Sequence, residues 1–269
     1  MALENKEMFG AFRVFSLDYS ENPFEALSQA ITFEDIIPGR QGANLVHLRD
    51  DGAYPLVRTT THYEIPHQKM SLSHYVLLEK MRAVFPQAHP NNALVEVYDG
   101  RYTSMGFHSD QAQDLEDDSY ICIYSCYNDP EMKRLRHLVI RNKAEKATSK
   151  SFSIPLTHNS LVVFSVADNA KYQHKIVLAP SDEPVSARAF AESEKDKWLG
   201  FTWRQSKTFI TFHGNVPLLA DKRPLTLATS DQRHELYKYR KLENTTTGFV
   251  YPKLDFTLSP GDLLTPISH

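Results

Sequence analysis

Residues 102–127 read YTSMGFHSDQAQDLEDDSYICIYSCY. The closing run, SYICIYSCY, alternates in side-chain character with period two, as a strand does when its faces meet different surroundings. The opening run places His108 and Asp110 two residues apart. On an extended segment residues i and i+2 point the same way, so an imidazole nitrogen and a carboxylate oxygen can meet one ion. Working outward, short strands are expected near 93–98, 103–110, 119–126, 136–141, 150–155, 160–166, 172–178 and 198–212. Polar turns separate them and no helix is expected between them. The pattern predicts an antiparallel barrel or double-sheet jelly roll, a mainly β fold with flanking helices (α+β) built on a double-stranded β-helix.

Towards the N-terminus the period changes. FEALSQAITF (24–33), preceded by Asn22 and Pro23, reads as a short helix. Ser71–Phe85 reads as a longer one, with Tyr75, Leu78, Met81 and Phe85 on one face and a stop at Pro86. Between them PLVRTTTHYEIP (55–66) reads as extended. Residues 180–197, charged and without apolar periodicity, are expected to form a surface insertion or lid. Beyond about 217 comes a charged helix, SDQRHELYKYRKLE, capped by Ser230, and then a Pro-rich extended tail. The expected organisation is an N-terminal region (1–92) of helices and an extended recognition segment, a jelly-roll core (93–212) and a C-terminal extension (213–269).

Composition narrows the function. The 269 residues are 41% hydrophobic, enough for a sizeable core. A formal charge of -3 provides no global positive field to draw the chain to nucleic acid or anionic membranes. The N-terminal MALENKEMFGAFRVF is acidic where a secretory signal is basic, and no apolar run approaches the roughly 20 residues of a membrane helix. A soluble, intracellular, cytoplasmic protein is expected. The two cysteines, Cys122 and Cys126, share a strand face about 13 Å apart, too far for a disulfide, and read as buried thiols.

A His-x-Asp pair alone is a weak signal, since the chain has 12 histidines and His62 with Glu64 makes another. Two later elements strengthen it. SLVVFSVADNAKYQHKIVLAP (160–180) brings His174 on a strand that can return beside the first. Two histidines and a carboxylate leave three adjacent positions open on an ion, which suits iron(II) binding a bidentate co-substrate and dioxygen. Zinc hydrolysis uses similar ligands but keeps one open position. In KWLGFTWRQSKTF (197–209), Leu199, Phe201 and Trp203 take one strand face, and Gly200, Thr202 and Arg204 the other. An inward Arg204 needs an anionic partner, and the far carboxylate of a dicarboxylate would supply one.

These residues resemble the AlkB-like branch of the Fe(II)/2-oxoglutarate-dependent dioxygenases, over about Pro55–Phe209. EVYDGRYTSMGFHSD, IPLTHNSLVVFSVADNAKYQHKI and GFTWRQS carry the likeness. The resemblance implies His108, Asp110 and His174 as iron ligands, and Arg204 and Tyr98, with Thr202, as contacts of 2-oxoglutarate. It also implies consumption of 2-oxoglutarate and O2, with ascorbate as reductant in vitro, and oxidation of a substrate C–H bond by hydroxylation, demethylation, or desaturation or ring closure. Two positions depart from the family pattern. Glu96 stands where an asparagine is expected and Trp198 where a first arginine is expected, both normally at the co-substrate's far carboxylate. Lys207 or Arg188 is a candidate to compensate. Arg58, Thr60 and Tyr63 in the extended segment, with Trp198 and Glu96, are candidates to line the substrate pocket.

Three functions fit the sequence. Acidic charge and the two departures favour an oxygenase of a small-molecule or amino-acid-like substrate. An oxidative demethylase of alkylated nucleic acid would need a basic rim, for which KRLRH (133–137) and RNKAEK (141–146) are the candidate clusters. A non-catalytic jelly-roll binding module is the third. No membrane partner is expected, and the sequence leaves the oligomeric state open.

Overall fold

The computed structural model describes residues 6–144, 151–180 and 195–268. The expected insertion at 180–197, Arg188 included, and the end of the RNKAEK cluster lie largely outside the described residues.

The chain begins with a hairpin, β1 (Lys6–Phe9) and β2 (Phe12–Ser16), then a single helical turn, α1 (Phe24–Ser28). Strands β3 (Glu34–Ile37) and β4 (Arg40–Val46) follow, with two short pieces, β5 (Tyr54–Pro55) and β6 (Gln68–Lys69). Helix α2 (Leu72–Val84) leads into β7 (Asn92–Tyr98), β8 (Tyr120–Tyr127), β9 (Arg136–Asn142), β10 (Phe152–Leu156) and β11 (Ser160–Ser165). A short helix α3 (Val166–Lys171) precedes β12 (Tyr172–Leu178) and β13 (Trp198–Arg204). Strands β14 (Phe209–His213), β15 (Val216–Leu218) and β16 (Thr226–Leu227), helix α4 (Ser230–Thr245), β17 (Phe256–Thr257) and a 3-10 turn (Pro260–Leu263) complete it.

Two sheets make the jelly roll. The large one runs β1-β2-β11-β8-β13-β7-β4-β3, and the small one β10-β9-β12. Every pairing along both is antiparallel. The central strands of the large sheet are buried on both faces, which explains their nearly continuous apolar runs. On the inner face Ile121, Ile123, Val162 and Phe164 meet Leu138, Ile140 and Ile154 of the small sheet. On the outer face Tyr124, Val163, Phe201 and Trp203 meet Leu27 of α1 and Leu77, Leu78 and Met81 of α2. Cys122 and Cys126 join that outer layer as free, buried thiols, and burial pushes both up to about 12.

Several elements differ from expectation for identifiable reasons. Helix α1 ends early because Gln68 bonds both backbone groups of Thr32, at 2.9 and 2.7 Å, and holds the chain extended there. Helix α2 turns His74 rather than Tyr75 to the core: His74 bonds Leu27 O at 3.0 Å, while Tyr75 reaches out to His47. The expected 198–212 strand is two strands, broken where Ser206 Oγ bonds Leu56 O at 2.5 Å. Helix α3 occupies what reads as a polar turn, and α4 is capped by Thr229, which accepts from Gln232 N, rather than by Ser230. The N-terminal region adds β1–β4 to the large sheet, strands the sequence reading did not anticipate.

Of PLVRTTTHYEIP only its first residue lies in a strand; the rest is irregular. Its Arg58, a substrate-pocket candidate, is instead 6% exposed and packed into the fold. Its guanidinium meets both oxygens of Asp114 (2.7 and 3.0 Å) and the carbonyls of Leu254 and Phe256. Burial alone raises a carboxyl pKa, but Arg58 and Thr208 hold Asp114 below its usual range. Asp114 therefore stabilises the fold fully above about pH 4, and that contribution is lost as pH falls through its folded value. In urea denaturation at pH 7, Arg58→Met should cost about 3–5 kcal/mol, because it strands a buried carboxylate. Asp114→Asn should flatten the acid limb of the stability profile.

Candidate metal centre and co-substrate pocket

The ligand-bearing segment 103–110 does not form the continuous strand expected. It touches β12 at two isolated bridges, Ser104 with Val177 and His108 with His174. At the second the residues exchange backbone hydrogen bonds, 2.9 Å from His108 N and 2.7 Å from His174 N. This reciprocal pair sets the two imidazoles side by side, with ring centroids 4.7 Å apart.

Side chains from the helices replace the missing ladder. Asn169 of α3 accepts from Asp110 N and donates to Asp110 O, both at 2.8 Å. Asn244 of α4 accepts from Ser109 N, and Glu243 accepts from Ala112 N, each at 2.8 Å. Arg240 of α4 donates to Ser109 O and pairs with Glu243. These residues escaped sequence reading because isolated amides and charges in helices carry no periodic signal.

Ligand atoms of His108, Asp110 and His174 all lie within 4.8 Å of one another. Asp110 Oδ1 is 3.4 Å from His174 Nε2 and 3.8 Å from His108 Nε2. His108 Nδ1 lies 3.0 Å from Gly106 O, so it carries the proton and leaves the Nε2 lone pair free. Burial, reinforced by His174, lowers the His108 pKa and keeps the ring neutral, the form a metal needs. Burial would raise the pKa of Asp110, but Arg204, with both histidines assisting, holds it well below the usual range.

Arg204 lines the same cavity, with its guanidinium on Asp110. Its Nε and Nη2 both donate to Asp110 Oδ2, at 2.9 and 2.7 Å. The guanidinium therefore serves the carboxylate that faces the metal position, with Oδ1 left open. Two imidazoles and an ionised oxygen aimed at one point fit an iron(II) ion. The other His-x-Glu pair does not assemble a site: His62 and Glu64 bond each other at 2.6 Å in solvent, with no third ligand among the described residues.

A cavity of about 100 Å³ runs from the three ligands. Thr202 lines it, with Leu94, Ile123 and Ile176 providing apolar wall, and Arg40 and Glu96 also border it. Thr59, Thr60, Thr61, Gln111 and Arg240 form more of its lining. Tyr98 is fully buried beside it and donates to Glu96 at 2.7 Å, with Trp198 packed against its ring at 4.8 Å. Tyr63 is buried as well, its hydroxyl standing over Gly42. Lys207 lies outside the cavity, paired with Asp117 at 2.7 Å, because the chain bends outward after Gln205. The sequence reading missed Arg40, although alternation along β4, Ala43 and Leu45 against Arg40 and Asn44, was a usable signal.

The fold and the centre together define a non-haem iron oxygenase. The family model described as the 2OG-Fe(II) oxygenase superfamily matches residues 40–204, and the chain belongs to that superfamily. Its co-substrates are 2-oxoglutarate and O2. A solved structure described as "The structure of OsALKBH1" is similar with a TM-score of 0.48 and 11% identity, covering 74% of this chain and 99% of that one. No curated protein matches the sequence.

Asp110→Asn and His174→Ala should each abolish stoichiometric iron(II) binding, measured by metal content after anaerobic gel filtration. Arg204→Met should keep iron at pH 7 but release it on acidification at a higher pH than the wild type, because Asp110 loses the charge that keeps it ionised.

Proposed function

We propose that the chain oxidises a C–H bond of a small, amino-acid-like substrate. The observation that carries this reading is the lining of the cavity: among the described residues it contains threonines, arginines and carboxylates but no Phe, Tyr or Trp. Enzymes that act on a nucleobase take it out of the stack and hold it between aromatic or apolar side chains. Among the described residues this pocket offers apolar wall but no Phe, Tyr or Trp ring to stack on a base, whereas Thr59–Thr61 and Gln111 offer hydrogen bonds to a small polar molecule.

The candidate basic clusters support the same reading. Arg136 of KRLRH is buried, donates to Tyr102 O and Asp99 O, and lies over the Tyr98 ring. Arg134 donates to Ala179 O. In the second cluster Arg141 covers Phe107 at 4.0 Å, and Lys143 is buried against Glu243 O. Arg134, Arg136, Arg141 and Lys143 are thus engaged within the fold rather than arrayed as a rim for a phosphate backbone. No helix of the described residues is long and apolar enough to cross a membrane.

In the proposed reaction His108, Asp110 and His174 hold iron(II), which when bound with 2-oxoglutarate and O2 supplies the oxidising chemistry. Asn169, Asn244 and Arg240 keep the ligand backbone in place. Arg204 keeps Asp110 ionised. The apolar wall of Leu94, Ile123 and Ile176 excludes water from the cavity.

The test is succinate release by iron-loaded protein with 2-oxoglutarate and ascorbate, across a panel of amino acids, small carboxylic acids and methylated oligonucleotides. Stimulation by one of the small acids, weakened severalfold or more in Gln111→Leu, whose buried side-chain oxygen has no partner among the described residues, is the expected result. Stimulation by methylated oligonucleotide alone would replace this substrate class.

A further inference from the structure

The cavity has two ends, and the strand register fixes what stands at each. On β13 Arg204 faces Asn92, Thr202 faces Leu94, Gly200 faces Glu96 and Trp198 faces Tyr98. Arg204 marks the metal end through Asp110. Glu96 therefore stands four residues along the sheet, about 13 Å away at about 3.3 Å per residue. That span suits a five-carbon dicarboxylate together with the side chains that grip its ends.

Such a dianion needs a cation at the far end, and β13 offers none. Trp198 folds its ring over Gly200, where a Cβ would meet the indole at 1.9 Å. Of the arginines lining the cavity, Arg204 is bound to Asp110, and Arg240 is bound to Glu243 and Ser109 O. The remaining one is Arg40, on the neighbouring strand β4, where Gly42 faces Glu96. Its Nε and Nη2 both reach the same oxygen, Glu96 Oε1, at 2.7 and 2.6 Å. The guanidinium also stands 5.8 Å from the centre of the Tyr102 ring and hydrogen-bonds the Tyr102 side chain. Close by, the Tyr63 hydroxyl over Gly42 is buried with no hydrogen-bond partner among the described residues.

We propose that Arg40, oriented by Glu96, receives the far carboxylate of 2-oxoglutarate, with the Tyr63 hydroxyl as a second donor. The cation that the family pattern expects on β13 is thus delivered from β4. Charge balance allows it. The cavity's three arginines are matched by Glu96, Asp110 and the Glu243 bound to Arg240, so an iron(II) ion and a dianion leave the site neutral. Glu96 plays two opposed parts: it aims the guanidinium, and it repels the incoming carboxylate.

The test compares 2-oxoglutarate with 2-oxovalerate, which has the same five carbons but no far carboxylate. Each is titrated calorimetrically, under argon, into iron(II)-loaded full-length protein. No oxidisable substrate is present, so the outcome is separate from the substrate assignment above. The wild type should prefer 2-oxoglutarate. Arg40→Met should lose on the order of 30-fold in 2-oxoglutarate affinity, with 2-oxovalerate affinity and iron content unchanged. Glu96→Gln should tighten 2-oxoglutarate binding severalfold and leave 2-oxovalerate alone. If Arg40→Met fails to fold, the neutral pair Arg40→Gln/Glu96→Gln should show the same loss of preference. A purely structural ion pair would weaken both ligands together in both single variants. That result, a preference retained without Arg40, or a wild type that does not distinguish the two acids overturns the proposal.

Discussion

The reciprocal backbone hydrogen bonds between His108 and His174 hold the candidate metal centre in register. They join a segment with little ladder of its own to β12, which belongs to the small sheet of the jelly roll. Once these two residues face each other, both imidazoles and Asp110 converge. The remaining polar backbone of the His-Ser-Asp segment is satisfied by side chains of α3 and α4. A ligand segment held in this way trades a ladder for specific amide contacts, and so depends on residues far along the chain.

Electrostatics then divides Asp110 between two tasks. Oδ2 accepts two bonds from Arg204, and Oδ1 faces the histidines. A buried carboxylate with no cation would gain a proton and lose its value as a ligand. The β13 register supplies that cation, and the same strand buries Leu199, Phe201 and Trp203 against the helices. Packing on one face of β13 thus sets the position of the charge on the other.

The cavity shows how arginines and carboxylates can coexist in a buried site. Each guanidinium that lines it meets a carboxylate: Arg204 with Asp110, Arg40 with Glu96 and Arg240 with Glu243. Paired in this way they avoid the large cost of isolated buried charge. A metal ion and a dianionic co-substrate can then enter as a neutral set. The volume, about 100 Å³, is below the roughly 300–1,000 Å³ of sites that enclose a drug-sized ligand. The cavity itself suits a slim molecule.

Local chemistry was readable in the residues. Period-two alternation located β7 to β12 and the start of β13 within a residue or two, though not the break after Arg204 or the irregular 103–110 segment, and strand parity correctly separated Arg204 and Thr202 from Leu199, Phe201 and Trp203. The resemblance carried by these motifs also led to the superfamily that the family model matches. Non-local partnership was decided only by the folded chain. Arg58, in a polar β-branched run, found Asp114 and became part of the scaffold. Arg204 found Asp110, and Arg40, from a strand outside the expected core, found the cavity. A side chain's periodicity is set by its immediate neighbours and is written in the sequence. Its ionic partner is set by which strands lie side by side, and that depends on burying two faces of a sheet at once.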